Sequence, residues 1–253
     1  MFECNLNIFS MKYLSYVIIA ALGIAVYSCT SGQLNQLNNV LTGPTTPTEK
    51  PLSNDEVIAG LRSALSVGTD SSSSRASKVD GFYKNTRLFI PFPPDAIKVK
   101  EKVEALGFKE KVDKFVLTLN RGAEEAAKES GPIFLNAIKS MSIADGFTIL
   151  KGGDNAATNY LKEKTTAELK TTFTPKVKDA LNKVELTKHW TPVITTYNKI
   201  PGVEKQNPDL DAYVTEKAIA GLFILIADEE MKIRKDPIAR VNDILKRVFG
   251  SKY

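Results

Sequence analysis

The sequence has few of the residues that most catalytic and metal sites use. It contains two cysteines, Cys4 and Cys29, both within the first thirty residues, and one histidine, His189. The remainder of the chain therefore has no disulfide, no thiolate nucleophile and no cysteine metal site. A Ser-His-Asp triad or a histidine metal site would have to use His189. A lone histidine beside the only tryptophan, Trp190, is more typical of a helix surface or of packing. We expect no catalytic role for it, no metal and no cofactor.

A membrane-spanning apolar run is also missing from the folded part of the chain. Residues 218–227 are apolar on every side of a helix, but they are fewer than the about 20 residues that cross a bilayer. The charged residues 228–234 follow at once. This pattern predicts a buried central helix over about 211–235, with the other helices of an all-α domain packed around it.

The charges of the chain are not concentrated in one place. The formal net charge is +5, and charged residues make up 25% of the sequence, which is ordinary for a soluble globular protein. Basic residues stand next to acidic ones, without an arginine-rich block, a zinc spacing or an aromatic RNA signature. We therefore expect no nucleic-acid partner. A mild positive charge also suits a protein close to anionic lipid headgroups.

The N-terminus has the features of a lipoprotein signal peptide over residues 1–28. Lys12 precedes an apolar region, residues 13–26, of the length usual in signal peptides. The motif Val26-Tyr27-Ser28-Cys29 resembles the lipobox of bacterial lipoproteins, in which the cysteine is acylated, with palmitate among its acyl chains, and becomes the new N-terminus. An ordinary secretory signal and a single membrane anchor are the alternatives. The first is disfavoured because no A-x-A cleavage site follows, and the second because the apolar region is short.

The segment that follows, residues 29–52, is predicted to be the lipidated cysteine and a flexible tether. It is polar, and residues 43–48 are rich in proline and threonine, a composition that cannot form a core. No acidic cluster of the kind that marks surface export follows Cys29. We therefore expect a lipid anchor in the outer membrane of a bacterial cell envelope, with the chain facing the periplasm.

Residues 53–253 are predicted to form one multi-helix globular domain. Ser53 and Glu56 have the spacing of a capping box. Thr165 and Glu168 have the same spacing, which predicts another helix start, with Pro175 as a joint further on. One helix is expected over 186–200 and a last one after residue 237. Because no segment alternates apolar and polar residues as a strand does, the predicted fold class is all-α.

A proline-rich segment, residues 87–94, interrupts the helical pattern. Pro91, Pro93 and Pro94 forbid a helix and favour an extended chain. The segment is either a docking ligand for an aromatic groove or a strap that covers the core. We favour the strap, with Leu88, Ile90 and Phe92 alternating inward.

Acidic residues on several predicted helices form a candidate polar site. If their helices pack together, these acids and nearby basic residues could create a carboxylate metal site or an acid–base pair. The candidate residues are Arg121, Glu124, Asp145, Lys217, Glu229 and Arg234. The alternative, which we favour, is that these charges form ion pairs. Glu230 and Arg234 already have the favourable i,i+4 spacing.

Aromatic residues suggest a second kind of site. Tyr160, Tyr197 and Tyr213 could line a pocket for an apolar or sugar ligand together with Trp190. Packing in the core explains them equally well.

Several short motifs give the chain a family resemblance. They are Ile90-Pro91-Phe92-Pro93, Asn120-Arg121-Gly122-Ala123-Glu124-Glu125-Ala126-Ala127, Pro132-Ile133-Phe134, Ala156-Ala157-Thr158-Asn159-Tyr160, Asp209-Leu210-Asp211-Ala212-Tyr213-Val214-Thr215, Gly221-Leu222-Phe223 and Asp228-Glu229-Glu230. In this order they resemble a family of bacterial lipoproteins, domain of unknown function 4197, over roughly residues 51–250. Similar proteins often carry an acid immediately before Gly-Leu-Phe, where this chain has Ala220. The resemblance implies a helical envelope domain and no particular activity.

The expected function is a non-enzymatic binding or interaction module of the cell envelope. Its expected partners are the membrane, through the lipid anchor, and either a partner protein or an apolar ligand. One alternative is an enzyme or metal-binding protein that uses a carboxylate and arginine cluster between helices. Another is a purely structural lipoprotein.

Overall fold

The computed structural model describes residues 53–202, 204–207, 209–235 and 246–247. All of them belong to one compact unit, Leu52–Tyr253. The predicted signal peptide, the tether and most of the predicted last helix lie outside the described residues.

The described residues form α-helices joined by turns and loops, with no strand among them. The helices are α1 (Asn54–Ser77), α2 (Ile97–Ala105), α3 (Lys109–Ala127), α4 (Ser130–Ser140), α5 (Ile143–Lys151), α6 (Ala156–Leu181), α7 (Glu185–Lys188), α8 (Trp190–Tyr197) and α9 (Leu210–Lys235), with a 3₁₀ turn at Pro94–Ala96 before α2. The all-α prediction is confirmed.

The ends of several helices follow from local side-chain chemistry. The Ser53 hydroxyl accepts a hydrogen bond from the backbone of Glu56, whose carboxylate accepts one in return, so α1 starts at the predicted capping box. Ser142 and Asp145 form the same arrangement at the start of α5. Gly107, with φ of 87°, lies just beyond α2 in the left-handed conformation that glycine adopts without strain.

The predicted helix start at Thr165 is wrong. Thr165 and Glu168 lie inside α6, which runs unbroken through Pro175. The Thr165 hydroxyl donates to the carbonyl of Leu161, one turn earlier in the same helix. The buried face of the helix continues through Leu169, Phe173 and Val177. Packing of this face keeps the segment helical in spite of the capping-box spacing and the proline.

The helix predicted over residues 186–200 is also divided in two. It consists of α7 and α8, with His189 between them at the N-cap position of α8.

The predicted central helix is α9, which packs against α1, α3 and α6. Its residues Leu222, Phe223, Leu225 and Ile226 are buried, whereas Ala220 is exposed on the side away from the core.

Among the described helices, none alone has the length and apolar character needed to cross a membrane. Taken together, α4 and α5 are long and apolar enough to cross a membrane, but a bend of 103° separates them.

Within the predicted segment 87–94, residues 89–93 are non-helical and cover the core as predicted for a strap, whereas residues 87 and 88 belong to a turn and Pro94 begins the 3₁₀ turn. Leu88, Ile90 and Phe92 are 4%, 0% and 6% exposed, while Phe89 between them is 38% exposed. We call residues 78–93, from the end of α1 to the 3₁₀ turn, the strap. It lies close to α9, because a Cβ built on Gly221 would be 2.7 Å from Cε1 of Phe82 and 3.2 Å from Cγ of Leu88.

This close approach makes Gly221→Ala a test of how the strap packs. The added methyl group meets a fully buried ring that cannot move aside, and such overpacking costs about 1–3 kcal/mol. We expect the free energy of unfolding, measured by urea denaturation, to fall by that amount. The control is Gly131→Ala, because no atom lies within 4 Å of a Cβ at that helical position. The control variant should be unchanged, or more stable by up to about 1 kcal/mol from helix propensity. Equal stability of the two variants would contradict the packing described here.

Candidate functional site

The strap has buried backbone groups that neither a helix nor a sheet satisfies, and α3 supplies their partners. Asn120 is fully buried. Its Oδ1 accepts a hydrogen bond from the backbone N–H of Ile90, and its Nδ2 donates to the Ile90 carbonyl, both at 2.8 Å. The same Nδ2 donates to the carbonyl of Val116. One side chain therefore replaces the backbone pairing that a neighbouring strand would give.

A buried carboxylate holds the beginning of the strap in the same way. Glu124 Oε1 accepts hydrogen bonds from the backbone N–H groups of Phe82 and Tyr83, at 3.1 and 3.2 Å. Its Oε2 accepts one from Arg121 at 2.5 Å. Every oxygen of this 4% exposed residue thus has a partner, as a buried charge requires.

Arg121 extends this network to the turn that follows α1. It donates to Asp80 at 2.7 Å, and Lys84 pairs with the same carboxylate. The bonds from Lys84 and then Arg121 lower the pKa of Asp80, and the bond to Glu124 raises the pKa of Arg121. Asp80 has a φ of 68°, a conformation that aspartate tolerates better than most residues. The network fixes the turn by which the strap leaves α1.

The carboxylates near the end of α9 each bind a different element. Asp228 forms a two-pronged pair with Arg87 of the strap, at 2.6 and 3.1 Å. Glu229 pairs with Arg75 at the end of α1. Both carboxylates thus form ion pairs that join α9 to another part of the fold.

Glu230 is buried and caps the N-terminus of α6 with its carboxylate. It accepts hydrogen bonds from the backbone N–H groups of Ala157 and Thr158 and from the Thr158 hydroxyl. Arg234 donates to Glu230 at 2.9 Å and also to the carbonyl of Ile149. A carboxylate at a helix N-terminus satisfies free N–H groups and is favoured by the helix dipole.

The six residues of the predicted polar site are distributed among these arrangements. Arg121 pairs with Glu124, Asp145 caps the start of α5, Lys217 lies over the ring of Tyr213, Glu229 pairs with Arg75 and Lys232, and Arg234 pairs with Glu230. The structure thus brings Arg121 and Glu124 together and gives the other four separate contacts. The hydrogen bond from Ser142 lowers the pKa of Asp145. Among the described residues, no group of three or more His, Cys, Asp or Glu side chains is placed to hold a metal ion.

An apolar cavity lies beneath α2 and is the strongest candidate for a binding site. Its volume is about 220 Å³. It is lined by Phe92, Val99, Lys100, Val103, Val112, Phe115, His189, Trp190 and Ile194. The nine-residue helix α2 has no fully buried residue, and its Val99 and Val103 are only half-buried over the cavity. The cavity is therefore covered by a loosely packed helix.

Three aromatic rings form the rigid side of this cavity. The ring of Trp190 lies edge-on to that of Phe92, with centroids 5.6 Å apart, and its centroid is 5.3 Å from that of Phe115. Phe92 and Phe115 are in contact as well, at 4.8 Å. Packing of this kind holds each ring in one orientation.

A smaller cavity also has Trp190 in its wall, and we call it the polar cavity because polar side chains interrupt its mostly apolar wall. Its volume is about 100 Å³, and it is lined by Pro93, Pro94, Asp95, Ala96, Trp190, Gln206, Asn207, Asp209, Leu210 and Tyr213. An open cleft of about 390 Å³ shares Val99 with the apolar cavity and Pro94, Asp95 and Gln206 with the polar cavity.

The aromatic residues singled out from the sequence are divided among these spaces. Trp190 borders both cavities, Tyr213 the polar cavity and Tyr197 the open cleft. Tyr160 packs against the main core instead. Val99 and Val103 were not among the candidate residues, although their i,i+4 spacing is the signal of an apolar helix face.

Another concavity is a broad groove between α6 and α9, of about 580 Å³. Asn159, Lys162 and Thr166 line its α6 side, and Ile219, Ala220 and Phe223 are among the residues that line its α9 side. At the position where similar proteins often carry an acid, this chain therefore places the methyl group of Ala220 in the groove.

Comparison with known proteins identifies a family but no characterised relative. A family model described as "Protein of unknown function (DUF4197)" matches residues 51–250. No curated protein and no solved structure matches the chain.

The Asn120 bonds can be tested by Asn120→Ala. The substitution leaves the buried N–H and carbonyl of Ile90 without these partners, which costs about 1–3 kcal/mol for each unsatisfied group. We expect urea denaturation to show a loss of about 2–4 kcal/mol in the free energy of unfolding. Asn136→Ala is the matched control, since Asn136 is an exposed asparagine in α4, and it should change stability by less than about 0.5 kcal/mol. A similar loss in both variants would refute the role given to Asn120.

Proposed function

The chain belongs to the DUF4197 family, whose function is unknown, and from its geometry we propose that it is a lipid-anchored, non-enzymatic binding protein of the bacterial cell envelope. Its helical domain takes a small apolar ligand into the cavity beneath α2. The observation that carries the proposal is this cavity, with rigid aromatic rings on one side and a loosely held helix on the other.

The shape and lining of the cavity suit an apolar guest. Phe92, Phe115 and Trp190 offer ring faces, and Val99 and Val103 offer aliphatic surface. A volume of about 220 Å³ exceeds that of an engineered cavity of about 150 Å³ that binds benzene. Ligand sites in proteins are mostly apolar with few polar groups, and this cavity fits that description.

The arrangement of charges supports binding rather than catalysis. Acid–base catalysis needs a titratable side chain within reach of the substrate, and the enzyme alternative drawn from the sequence gives that part to a carboxylate. The titratable side chains in the lining of the apolar cavity are those of His189 and Lys100. The buried carboxylates Glu124 and Glu230 accept bonds from backbone N–H groups and arginines. Neither of them lines the apolar cavity.

The location in the envelope is proposed from the sequence. The motif Val26-Tyr27-Ser28-Cys29 supports acylation of Cys29, and residues 29–52 supply a tether to the domain. Facing the periplasm from the outer membrane, the domain would meet apolar molecules that leave the bilayer.

Ligand binding is tested with propylbenzene, and the single tryptophan is the reporter. The protein is produced without the signal peptide, as residues 30–253, which include the whole compact unit. We expect propylbenzene to shift the fluorescence of Trp190, because this ring lines the cavity. Val103→Phe fills the space below α2 and should weaken binding about tenfold, which corresponds to about 1.4 kcal/mol.

The control for this experiment is the same substitution on a distant surface. Val67→Phe adds a ring at an exposed position of α1, 44% exposed, and should leave the affinity for propylbenzene unchanged. Thermal melting of both variants checks that they fold. An absence of binding to the original protein, or equal binding by the two variants, would refute the proposed site.

Acylation is tested by Cys29→Ser in the full chain expressed in a bacterium. The variant should lose the incorporation of labelled palmitate, because the hydroxyl cannot replace the thiol in lipoprotein processing. Cys4→Ser is the matched control, because Cys4 lies upstream of the expected cleavage point, and it should still be labelled. Labelling that persists in Cys29→Ser would exclude the proposed anchor.

A further inference from the structure

We infer that the turn between α2 and α3 docks the domain directly on a lipid bilayer with anionic headgroups. We call residues 106–108 the apolar turn, and the lysines on either side of it complete the docking surface. The inference goes beyond the proposed function, because neither Leu106 nor Phe108 lines the apolar cavity and the contact with lipid needs no guest.

Two large apolar side chains are exposed at this turn. Leu106 is 73% exposed and Phe108 is 46% exposed. Single exposed apolar residues are common on protein surfaces and need no explanation. Among the described residues, however, no other two exposed large apolar side chains stand so close together in the chain. The apolar turn therefore presents more apolar surface to the outside than a chance arrangement does.

The backbone of the apolar turn suits a segment that leaves water. The N–H of Gly107 donates to the carbonyl of Glu104 at 2.9 Å, and that of Phe108 donates to the carbonyl of Val103 at 3.2 Å. These two bonds form a Schellman motif, which uses the left-handed conformation of Gly107. Backbone groups without a partner are costly in an apolar phase. The N–H groups of Gly107 and Phe108 already have theirs.

Lysines stand on both sides of the apolar turn. Residues 97–114 contain six lysines and four acidic residues. Lys102 lies one helical turn before Leu106. Lys111 lies over the ring of Phe108, with its Nζ 5.0 Å from the ring centroid. The positive charges are thus within one turn of helix from the apolar side chains on each side.

Part of this positive charge is available to lipid headgroups. The ion pairs described in this segment are formed by Lys100 and Lys109. Lys102 and Lys111 are exposed and take no part in them. A lysine near an anionic bilayer surface is attracted to its headgroups, and its aliphatic stem can lie along apolar surface. The charge of the docking surface therefore complements an anionic bilayer.

The size of the surface favours a bilayer over a protein partner. A stable protein interface buries about 800 Å² and about 20–30 residues on each side. Two side chains of one turn supply a small part of that. A bilayer, in contrast, accepts a shallow apolar insertion with basic residues at the level of the headgroups.

The docking surface also fits the proposed position of the domain. The tether proposed for residues 29–52 would hold the domain near a bilayer, so even a weak contact would form often. Docking brings the C-terminal end of α2, the helix over the apolar cavity, to the membrane surface.

The first test measures the binding of residues 30–253, which include the whole compact unit but carry no acyl chain, to lipid vesicles. One set is phosphatidylcholine alone, and the other has equal parts of phosphatidylcholine and phosphatidylglycerol. We expect co-sedimentation with the anionic vesicles, and less with neutral vesicles or in high salt, because salt screens the lysines. Leu106→Gln should weaken binding to anionic vesicles about tenfold, since a leucine side chain no longer enters the lipid.

The matched control is Val79→Gln, which changes an equally exposed apolar residue elsewhere. Val79 is 77% exposed, and its neighbour Asp80 is bonded to Arg121 of α3. Arg121 lies about 20 Å along α3 from Phe108, at about 1.5 Å per residue. The control variant should bind anionic vesicles as the original protein does. Thermal melting checks that both variants fold.

Charge and insertion are tested separately. Lys102→Gln should weaken binding to anionic vesicles about fivefold. Lys162→Gln, which changes an exposed lysine of α6, should leave it unchanged. The emission of Leu106→Trp should shift to shorter wavelength on addition of anionic vesicles, whereas that of Val79→Trp should not. Trp190 is buried and gives the same background in both.

The outcomes separate this inference from the proposed function. An absence of binding to anionic vesicles, an equal loss in Leu106→Gln and Val79→Gln, or an unshifted emission of Leu106→Trp overturns it. Self-association that Leu106→Gln abolishes, seen by analytical ultracentrifugation without vesicles, would make the turn an interface between copies and overturn it too. No guest is present in these experiments, so the apolar site is tested independently with propylbenzene.

Discussion

The structure depends on the need to satisfy the buried backbone of the strap. A non-helical segment that crosses a core brings N–H and carbonyl groups away from water, and this one has no neighbouring strand to pair with. The side chains of α3 fill this need, with Asn120 at Ile90 and Glu124 at Phe82 and Tyr83. Gly221 on α9 lets the strap pack closely on the other side.

The same constraint explains why so many polar residues of the family motifs are structural. Asn120 and Glu124 hold the strap, and Asp228 binds it through Arg87. Glu230 joins the end of α9 to the start of α6. In the fold, Asn120, Glu124 and Glu230 of these motifs replace missing backbone partners, whereas Asp228 forms an ion pair. The candidate binding cavities lie elsewhere, where the strap ends and meets Trp190.

The sequence was informative wherever one local signal agreed with the packing. Three prolines and the alternation of Leu88, Ile90 and Phe92 predicted the strap. In the structure these three side chains are buried, as that alternation requires. The apolar run 218–227 predicted the central helix for the same reason. The i,i+4 pair of Glu230 and Arg234 was also foreseen, because its geometry lies within one helix.

Local signals failed where a tertiary contact decided the outcome. Thr165 and Glu168 have the spacing of a capping box, but the buried face of α6 continues past them. For the candidate polar residues the favoured expectation was ion pairing, but partners on other helices, such as Arg75 for Glu229, were not foreseen, because no spacing along the chain shows which helix faces which. Gln206 belongs to a loop without periodicity, so nothing in the sequence indicated that it lines the same cavity as Trp190. The cavity itself is a gap between elements, and only the assembled fold reveals it.

The weak hold on α2 has a kinetic consequence. A helix with no fully buried residue can detach while the core stays folded, since local opening costs less than global unfolding. If passage beneath α2 requires that opening, the observed association rate of a guest would level off at high concentration, at the opening rate of the helix. Residence time would then depend on the contacts of Val99 and Val103 as much as on the fit of the guest. Contacts that α2 makes with the rest of the protein would thus set the speed of exchange, whereas contacts that α2 and the aromatic wall make with the guest would set the strength of binding.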